Sequence, residues 1–473
     1  MIEFDPSGPL PAGTTVLEAS AGTGKTHTIA TLAARYLAEG AATIDQLLLV
    51  TFSREASREL RSRVRQRFVE LLAGAESAPG RTLDEIERSR LGRALLDYDR
   101  ATIMTIHEFC QAMFAGLGIL AGVPAEGTVI EDLEPLLREI AHDLYLARYA
   151  TDSRLPPFPY QDRLRDRSLQ EVGALTLARD ALFDPAAELV PGGAGGRAGE
   201  RVAFGLEVRR ETEVRKRRLG VVTFDDLLLR LRDALTDPVI GAAACERLRA
   251  RFAVTLVDEF QDTDPVQWDI LRAAFDGHRP LVLIGDPKQA IYAFRGADVR
   301  SYLAACRTAE HRATLSVNHR ADGPLVAALD GLFAGLCLGD GIQVPPVRAK
   351  HPGSRVTLPG GRAVVPVRLR TVGDRLSTAE ARARVRDDLV AQVRGLLGSG
   401  AVFDSPEGPR PLRPNDVAVL VRTNAAGREL TRALREQGVP VAFSGSDSIF
   451  ASEAADAWQS LLTAMANPRP AEV

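Results

Sequence analysis

One nine-residue segment near the start of the chain limits the fold more than any other feature of the sequence. Residues 18–26 read EASAGTGKT, and they lie between an apolar run at 15–18 and a helical pattern at 26–37. Small residues between a strand and a helix let backbone N–H groups turn inward around phosphate oxygens, and the helix N-terminus adds partial positive charge. The segment therefore predicts a phosphate-binding loop on an α/β scaffold.

The lysine and the threonine that end this segment have separate roles in such a loop. Lys25 reaches the β- and γ-phosphates, and Thr26 supplies a hydroxyl to Mg²⁺. We predict ATP and Mg²⁺ as cofactors, with nucleotide contacts from Ala19, Ser20, Ala21, Gly22, Thr23, Gly24, Lys25, Thr26 and His27. The usual pattern has glycine where this chain has Ala19, and alanine is small enough to keep the turn. The alternative is a glycine-rich turn that arose by chance.

Two adjacent carboxylates form the second half of the predicted site. Asp258 and Glu259 lie at the end of the predicted strand 254–258. Acidic side chains at the end of a buried strand are costly unless they serve a cation or a water. We expect Asp258 to hold Mg²⁺ and Glu259 to orient the attacking water as a general base. Such a pair alone is equally consistent with an ordinary strand end, so this interpretation depends on the phosphate loop.

Short apolar runs along the chain predict the strands of a parallel sheet. They lie at 15–18, 47–51, 254–258, 281–285 and 417–421, and helical patterns separate most of them. Apolar strands that alternate with helices are typical of an α/β sheet that is covered on both faces. Polar residues or glycines follow each run, at the sheet edge where ligands bind in this architecture.

Two stretches interrupt the pattern and suggest how the chain is divided. Residues from about 110 to 222 have helical spacing with a Pro/Gly-rich break at 191–196, and residues 340–362 are irregular and rich in proline and glycine. We predict a first lobe formed by 1–112 and 223–340, a helical insertion at 113–222, and a partial second lobe at 341–473.

Size, charge and cysteine content exclude several classes of protein. The 473 residues are enough for two to four domains. A net charge of −3 gives no basic excess over the whole chain, so any DNA site must be a local basic surface. The four scattered cysteines argue against a disulfide framework, a zinc ribbon or an iron–sulfur cluster. Neither a long apolar stretch nor a secretion signal is visible, and we expect a cytoplasmic protein without membrane partners.

Lysine is unusually rare in this chain. Only four of the 59 basic residues are lysine, and these are Lys25, Lys216, Lys288 and Lys350. A lysine ammonium is a compact point charge, whereas an arginine guanidinium is a planar fork, so the two are not interchangeable at a phosphate site. Each lysine is therefore a candidate for a specific chemical role.

Six segments, in their order and spacing, resemble the motifs of superfamily 1A helicases, the group of UvrD, Rep and RecB. They are residues 18–26 (motif I), 50–56 (VTFSREA, motif Ia), 105–110 (TIHEFC, motif Ib), 258–263 (DEFQDT, motif II), 284–298 (IGDPKQAIYAFRGAD, motif III) and 315–320 (LSVNHR, motif IV). Motifs I and III are most similar to the RecB branch and next to the AddA branch. The resemblance covers nearly the whole chain and implies a RecA-like P-loop lobe with a helical insertion and the beginning of a second RecA-like lobe.

The resemblance also implies roles for individual residues. Gln289 resembles the motif III glutamine that senses the γ-phosphate, and Arg320 resembles the motif IV arginine that contacts it. The predicted catalytic residues are therefore Lys25, Glu259, Gln289 and Arg320. The positions that resemble DNA-contacting ones are Thr51, Phe52, His107, Tyr292 and Phe294. For the two motif III aromatics, ordinary core packing is the alternative.

The activity that the resemblance implies is ATP-driven DNA unwinding in double-strand-break repair and recombination. DNA ends would be the substrate, and RecC- and RecD-like subunits are implied as partners. The family's motifs V and VI and the nuclease domain of RecB do not occur in this sequence, so we expect a fragment with weak or no helicase activity of its own. Two alternatives stay open: a non-hydrolysing module that binds ATP, DNA or a partner, and a P-loop ATPase that acts on something other than DNA.

Overall fold

The computed structural model describes the backbone of most of the chain. The described residues are 2–77, 80–117, 128–130, 132–150, 158–160, 163–166, 169–183, 188–190, 196–292, 297–339, 341–373, 375–444, 450 and 453–466. The chain divides into two compact units, one comprising Met1–Arg320 with Phe333–Arg348, and the other Ala321–Leu332 with Ala349–Val473. None of the described helices is long and apolar enough to cross a membrane.

A seven-stranded sheet forms the centre of the first unit, and every neighbouring pair in it is parallel. Its order is β1 (Ile2–Glu3), β11 (His311–Leu315), β2 (Thr14–Ala19), β10 (Leu281–Gly285), β9 (Val254–Val257), β3 (Leu47–Thr51) and β4 (Thr102–Thr105). Four of the five apolar runs that predict strands belong to this sheet, and the α/β prediction is confirmed. Strands β2, β10 and β9 are adjacent, so the segments that follow them meet at one edge.

Helices cover both faces of this sheet. They are α1 (Lys25–Ala38), α2 (Arg54–Leu72), α3 (Glu85–Leu96), α4 (Ile106–Leu117), α8 (Phe224–Thr236), α9 (Gly241–Arg251), α10 (Pro265–Phe275) and α11 (Val299–Thr308). Successive side chains of a strand point to opposite faces. Leu47 and Leu49 accordingly pack with α1–α3, whereas Leu48 and Val50 pack with α4 and α8–α11. Burial on both faces explains why these strands are continuous apolar runs.

A helical layer with its own core lies between α4 and α8 in the chain. It contains β5 (Thr128–Val129), α5 (Glu134–Tyr149), β6 (Arg163–Asp166), β7 (Leu169–Glu171), α6 (Ala174–Phe183), α7 (Gly196–Leu219) and β8 (Val221–Val222). Ile140, Phe158, Phe204 and Val208 are fully buried at its centre. Residues 191–195 of the break that the sequence predicts lie outside the described residues. The boundaries 113–222 stay a prediction.

Short strands and four helices make up the described residues in the later part of the chain. The elements are β12 (Val317–Asp322), α12 (Gly323–Phe333), β13 (Cys337–Leu338), β14 (Ile342–Gln343), β15 (Arg348–His351), β16 (Val356–Leu358), β17 (Arg362–Ala363), α13 (Thr378–Leu397), β18 (Val402–Ser405), β19 (Gly408–Pro411), α14 (Asn424–Glu436) and α15 (Glu453–Ala466). Strands β17, β16, β18 and β19 form an antiparallel sheet. The stretch 340–362, expected to be irregular, thus contains several short strands.

The prediction of a fifth parallel strand at 417–421 is wrong. These residues are not in a strand, and the side chain of Leu420 is 95% exposed. A parallel strand needs neighbours that satisfy its N–H and C=O groups. Among the described residues, no strand pairs with this run, and the larger sheet of the second unit is antiparallel.

Candidate active site

The phosphate loop leaves the C-terminal end of β2 and enters α1, as the sequence predicts. Gly22 and Gly24 have φ angles of 81° and 88°, in the left-handed region that glycine adopts most readily. A Cβ atom on Gly22 would lie 2.7 Å from Oδ1 of Asn318, so a larger residue would clash there. Thr23 donates its hydroxyl to the carbonyl oxygen of Ser20 at 2.7 Å, which closes the turn.

The loop forms one wall of a cleft of about 350 Å³. The lining residues are Ala21, Gly22, Gly24, Lys25, Thr26, His27, Glu259, Gln289, His319 and Arg320. This set contains all four predicted catalytic residues and six of the nine predicted nucleotide contacts. Of the other three, Ala19 ends β2 and packs in the core, and Ser20 and Thr23 shape the turn.

An ion pair joins the loop to the end of β9. Nζ of Lys25 lies 2.7 Å from Oε2 of Glu259, and the two side chains are 12% and 33% exposed. The Glu259 carboxylate thus occupies the position of an anion beside the Lys25 ammonium. A phosphate would compete with it for the ammonium, because a phosphate has more charge and more acceptor oxygens than a carboxylate. Glu259 has φ 50° and ψ 41°. This left-handed conformation costs a non-glycine residue about 1–3 kcal/mol and is characteristic of functional sites.

Asp258 has the chemistry that a magnesium ligand needs. Burial, reinforced by the adjacent Glu259 carboxylate, raises the pKa of Asp258 to about 7, although Lys25 opposes the shift. A carboxylate destabilised in this way gains from a nearby cation. Mg²⁺ takes oxygen ligands and is commonly held by one or two protein groups together with substrate phosphates. The Asp258 carboxylate and the Thr26 hydroxyl, in the first turn of α1, are donors of the required kind.

Hydrogen bonds connect Glu259 to the segment that follows β10. Nε2 of Gln261 donates to Oε2 of Glu259 at 2.7 Å, and Oε1 of Gln261 accepts the backbone N–H of Asp286 at 2.9 Å. Nε2 of Gln289 in turn donates to Oδ2 of Asp286 at 2.6 Å. The predicted base and the predicted γ-phosphate sensor therefore belong to one connected set of polar groups.

Strand β12, which follows β11, is hydrogen-bonded to the phosphate loop. Nδ2 of Asn318 donates to the carbonyl oxygen of Ala21 at 3.0 Å, and the backbone N–H of His319 donates to that of Gly22 at 2.8 Å. Oδ1 of Asn318 accepts the backbone N–H of Arg320 at 2.9 Å. These bonds fix the backbone from which His319 and Arg320 reach the cleft.

A comparison of the sequence with known families agrees with this geometry. Residues 8–310 match the model of the family described as UvrD/REP helicase N-terminal domain. This chain belongs to the UvrD/REP helicase family. The phosphate loop, the carboxylates after β9 and the segment after β10 all lie within the matched residues, and the family resemblance that the sequence motifs predict is confirmed.

Curated relatives of this helicase-family chain include RecB proteins. The "RecBCD enzyme subunit RecB" of Mycolicibacterium smegmatis is 42% identical, over 98% of this chain and 43% of the relative. That of Escherichia coli (strain K12) is 29% identical, over 96% of this chain and 50% of the relative. The "ATP-dependent DNA helicase UvrD2" of Mycobacterium tuberculosis (strain ATCC 25618 / H37Rv) is 27% identical, over 93% of this chain and 54% of the relative. The chain spans about half the length of these relatives.

The positions that resemble DNA contacts in the helicase family have different surroundings. The rings of Phe52 and Tyr292 are half-buried, with centroids 5.1 Å apart and planes inclined by 32°. The Thr51 hydroxyl is buried and hydrogen-bonded to that of Ser57 at 2.7 Å. His107 packs edge-on against Phe224 at 5.7 Å. Phe294 lies outside the described residues. The structure therefore brings Phe52 and Tyr292 together and gives Thr51 a local bonding role.

Sequence reasoning missed three residues that organise the site. Asn318 fixes the phosphate loop, Gln261 links Glu259 to β10, and Asp286 holds Gln289. All three lie inside strings that resemble helicase motifs, which was the available signal. A short motif does not say which of its members bind substrate and which hold the others, since that depends on distances between separate strand ends.

Proposed function

We propose that this chain binds ATP with Mg²⁺ in the cleft beside Lys25 and hydrolyses it to move along DNA. The observation that carries the proposal is the convergence of Lys25, Glu259, Gln289 and Arg320 on one cleft at a helix N-terminus. Phosphoryl transfer needs positioned cations, a positioned water and a base rather than covalent chemistry from the protein. In this set, Lys25 and Arg320 supply the positive charge, and Glu259 supplies the base that would position the water.

Each residue has a role that follows from its position. Lys25 neutralises the β- and γ-phosphates, and the backbone N–H groups of the loop and of α1 hold their oxygens. ATP displaces Lys25 from Glu259, which leaves the Glu259 carboxylate to accept a proton from the attacking water. Arg320 adds positive charge where negative charge spreads in the transition state. Asp258 and Thr26 hold Mg²⁺, which when bound neutralises phosphate charge.

DNA is the proposed track, with the pair of Phe52 and Tyr292 as the base-stacking surface. Aromatic rings stack on any base, so they bind single strands without regard to sequence. Phe52 directly follows β3 and Tyr292 belongs to the segment that follows the Gln289 turn. Nucleotide state and DNA contact would then be coupled through residues 286–292.

The names of the relatives are the basis for the biological setting that we propose. Their names place RecB in a RecBCD enzyme, and we infer that the present chain acts on DNA ends in double-strand-break repair and recombination. RecC- and RecD-like subunits are the proposed partners, and the cytoplasm is the proposed compartment. The 42% identity over almost the whole chain supports this assignment over a UvrD2-like one at 27%.

The first experiment measures steady-state ATP hydrolysis by the pure chain with and without single-stranded DNA. It is run beside Lys25→Ala and beside Lys350→Ala, a matched change at an exposed lysine outside the cleft. DNA-stimulated turnover that only Lys25→Ala abolishes supports a working motor. Binding of ATP without turnover, lost in Lys25→Ala, supports the non-hydrolysing alternative. Turnover that DNA does not stimulate would contradict the role of DNA.

A further inference from the structure

Lys288 lies between two buried carboxylates. Its Nζ atom is 2.7 Å from Oδ1 of Asp286 and 3.5 Å from Oε1 of Glu18. The side chains of Lys288, Asp286 and Glu18 are 14%, 2% and 8% exposed. Lys288 therefore joins β2, immediately before the phosphate loop, to the segment that follows β10.

Lys288 is a cation that both of these acids share. Burial raises the pKa of Glu18 and Asp286 adds to the shift, whereas Lys288 and, more weakly, Arg312 act in the opposite direction. Two carboxylates in a water-poor site without a cation would repel each other and lose their hydration. A compact ammonium with three donors can sit between two acceptors where a planar guanidinium needs more room. The presence of lysine here, in a chain with only four lysines, is consistent with that requirement.

Asp286 connects Lys288 to Gln289. Its Oδ1 contacts Lys288, while its Oδ2 accepts Nε2 of Gln289 at 2.6 Å. Its backbone N–H is held by Gln261, which also bonds Glu259. The backbone N–H of Lys288 also donates to Oδ1 of Asp286, at 3.2 Å. These four contacts hold Asp286 in one orientation, and Nε2 of Gln289 keeps a second N–H that can donate to a phosphate oxygen.

We propose that Lys288 is a positioning residue for the sensing of the γ-phosphate by Gln289. It holds Asp286 against the strand that carries the phosphate loop, so that the Gln289 amide is presented to the cleft in a single orientation. Lys288 acts through Asp286 and does not itself bind the nucleotide. This inference rests on the proposed nucleotide-driven function.

The test measures how well the full chain discriminates ATPγS from ADP. Affinities for both nucleotides are titrated with Mg²⁺ for the unsubstituted chain, Lys288→Met, Gln289→Ala and the double variant. We expect each single change to reduce the ratio of the two affinities about tenfold, as for a lost hydrogen bond to a charged group. The double variant should be no worse than Gln289→Ala, because both changes remove the same interaction. ADP affinity should stay within about threefold, and Lys350→Met should match the unsubstituted chain.

Losses that simply add in the double variant would overturn the proposal, and so would an unchanged ratio in Lys288→Met. An unsubstituted chain that does not distinguish the two nucleotides would also overturn it, because Gln289 would then sense nothing. Failure of the proposed motor function looks different: nucleotide discrimination persists, and DNA-stimulated turnover is missing. A purely structural role for Lys288 would instead lower the affinities for ATPγS and for ADP by the same factor and leave their ratio unchanged.

A second measurement examines the carboxylates without nucleotide. Thermal unfolding is followed for Lys288→Met, Glu18→Gln and the double variant. Lys288→Met should lower the melting temperature, and adding Glu18→Gln should recover part of the loss, because one uncompensated acid has been removed. Effects that add without recovery would show that Lys288 does not serve Glu18 and would overturn the arrangement on which the proposal depends.

Discussion

Lys25 and Glu259 are 234 residues apart in the chain, yet their Nζ and Oε2 atoms lie 2.7 Å apart. The contact arises because β2 and β9 both flank β10, so the segments that leave them end at the same sheet edge. It joins the group that would bind phosphate to the group that would activate water. The carboxylate is therefore both the predicted base and a competitor of the nucleotide for the same ammonium.

This competition leads to a prediction for Glu259→Gln. Loss of the carboxylate charge frees Lys25 for phosphate, so ATP affinity should rise by about three- to tenfold. Turnover should fall by at least about 100-fold, because the amide cannot accept a proton from water. An equilibrium titration with a fluorescent ATP analogue and a steady-state hydrolysis assay measure the two effects. Undiminished turnover would falsify the role of Glu259 as the base.

Gly285 is expected to be indispensable to the hydrogen bonds around Gln261. A Cβ atom at this position would lie 2.6 Å from Oε1 of Gln261 and 3.2 Å from Cε2 of Tyr302. Gly285→Ala should therefore displace Gln261, destabilise the fold by about 1–3 kcal/mol, and reduce turnover. Chemical denaturation and the hydrolysis assay measure these changes.

The matched control for that change is Gly92→Ala in α3, where a Cβ atom would meet nothing within 4 Å. Alanine is the better helix former, so this change should stabilise the protein by about 0.5–1 kcal/mol. If both changes alter the free energy of unfolding and the turnover only slightly, Gln261 can move without cost. The hydrogen bonds of Gln261 to Glu259 and Asp286 would then not be needed for turnover.

Ionisation of Asp262 should lower the free energy of unfolding as the pH rises. Its side chain is buried with Oδ1 unpaired, and burial, with a contribution from Glu259, raises its pKa to about 6. The unfolded value is about 3.9, so the folded state binds the proton more tightly and stability falls between about pH 4 and pH 7. Asp262→Asn should therefore stabilise the chain on the order of 2 kcal/mol at pH 7.5, and by less at pH 5.

Urea unfolding at the two pH values measures this effect, with Asp99→Asn as the control at an exposed position. A gain that does not change with pH would show that ionisation of Asp262 is not its cause. A loss of stability at pH 7.5 would show that the charged form of Asp262 makes favourable contacts.

The sequence was sufficient for four strands of the seven-stranded sheet and for nine of the ten residues that line the cleft, with His319 as the exception. Lys25 and Glu259 could be paired in advance because polar residues at the ends of parallel strands meet at one edge. Asn318 and Gln261 could not be foreseen as organising residues, because their bonds to Ala21 and to Asp286 depend on distances across separate strands. Tertiary geometry, not local pattern, decides which motif residues bind and which support.

The apolar run 417–421 was predicted to be a strand and is not one. Its composition is that of a buried strand, but a strand is stable only beside another one, and a sequence pattern does not show whether that neighbour is present. The Thr51 hydroxyl is buried and hydrogen-bonded to that of Ser57. The DNA contact that its place in a motif suggests stays a prediction.

Phe52 offers a test of the proposed DNA surface against the simpler alternative of core packing. If its ring and that of Tyr292 stack on bases, Phe52→Ala should weaken binding of an oligo(dT) strand by about 1–3 kcal/mol. Affinity for ATP should change little, because Phe52 does not line the nucleotide cleft. Fluorescence anisotropy of labelled oligo(dT) measures the DNA affinity. Phe52→Tyr keeps an aromatic face and should bind nearly as well as the unsubstituted chain.

Trp458→Ala is the matched control, since it removes an aromatic ring that is 63% exposed on α15, in the other unit. If Phe52 only packs against Tyr292, Phe52→Ala will lower the melting temperature and leave the DNA affinity as it was. If both alanine variants weaken DNA binding equally, exposed aromatic rings contribute to DNA binding wherever they lie, and Phe52 has no special role. Only a loss of DNA affinity confined to Phe52→Ala, with Phe52→Tyr intact, identifies this pair as the base-stacking surface.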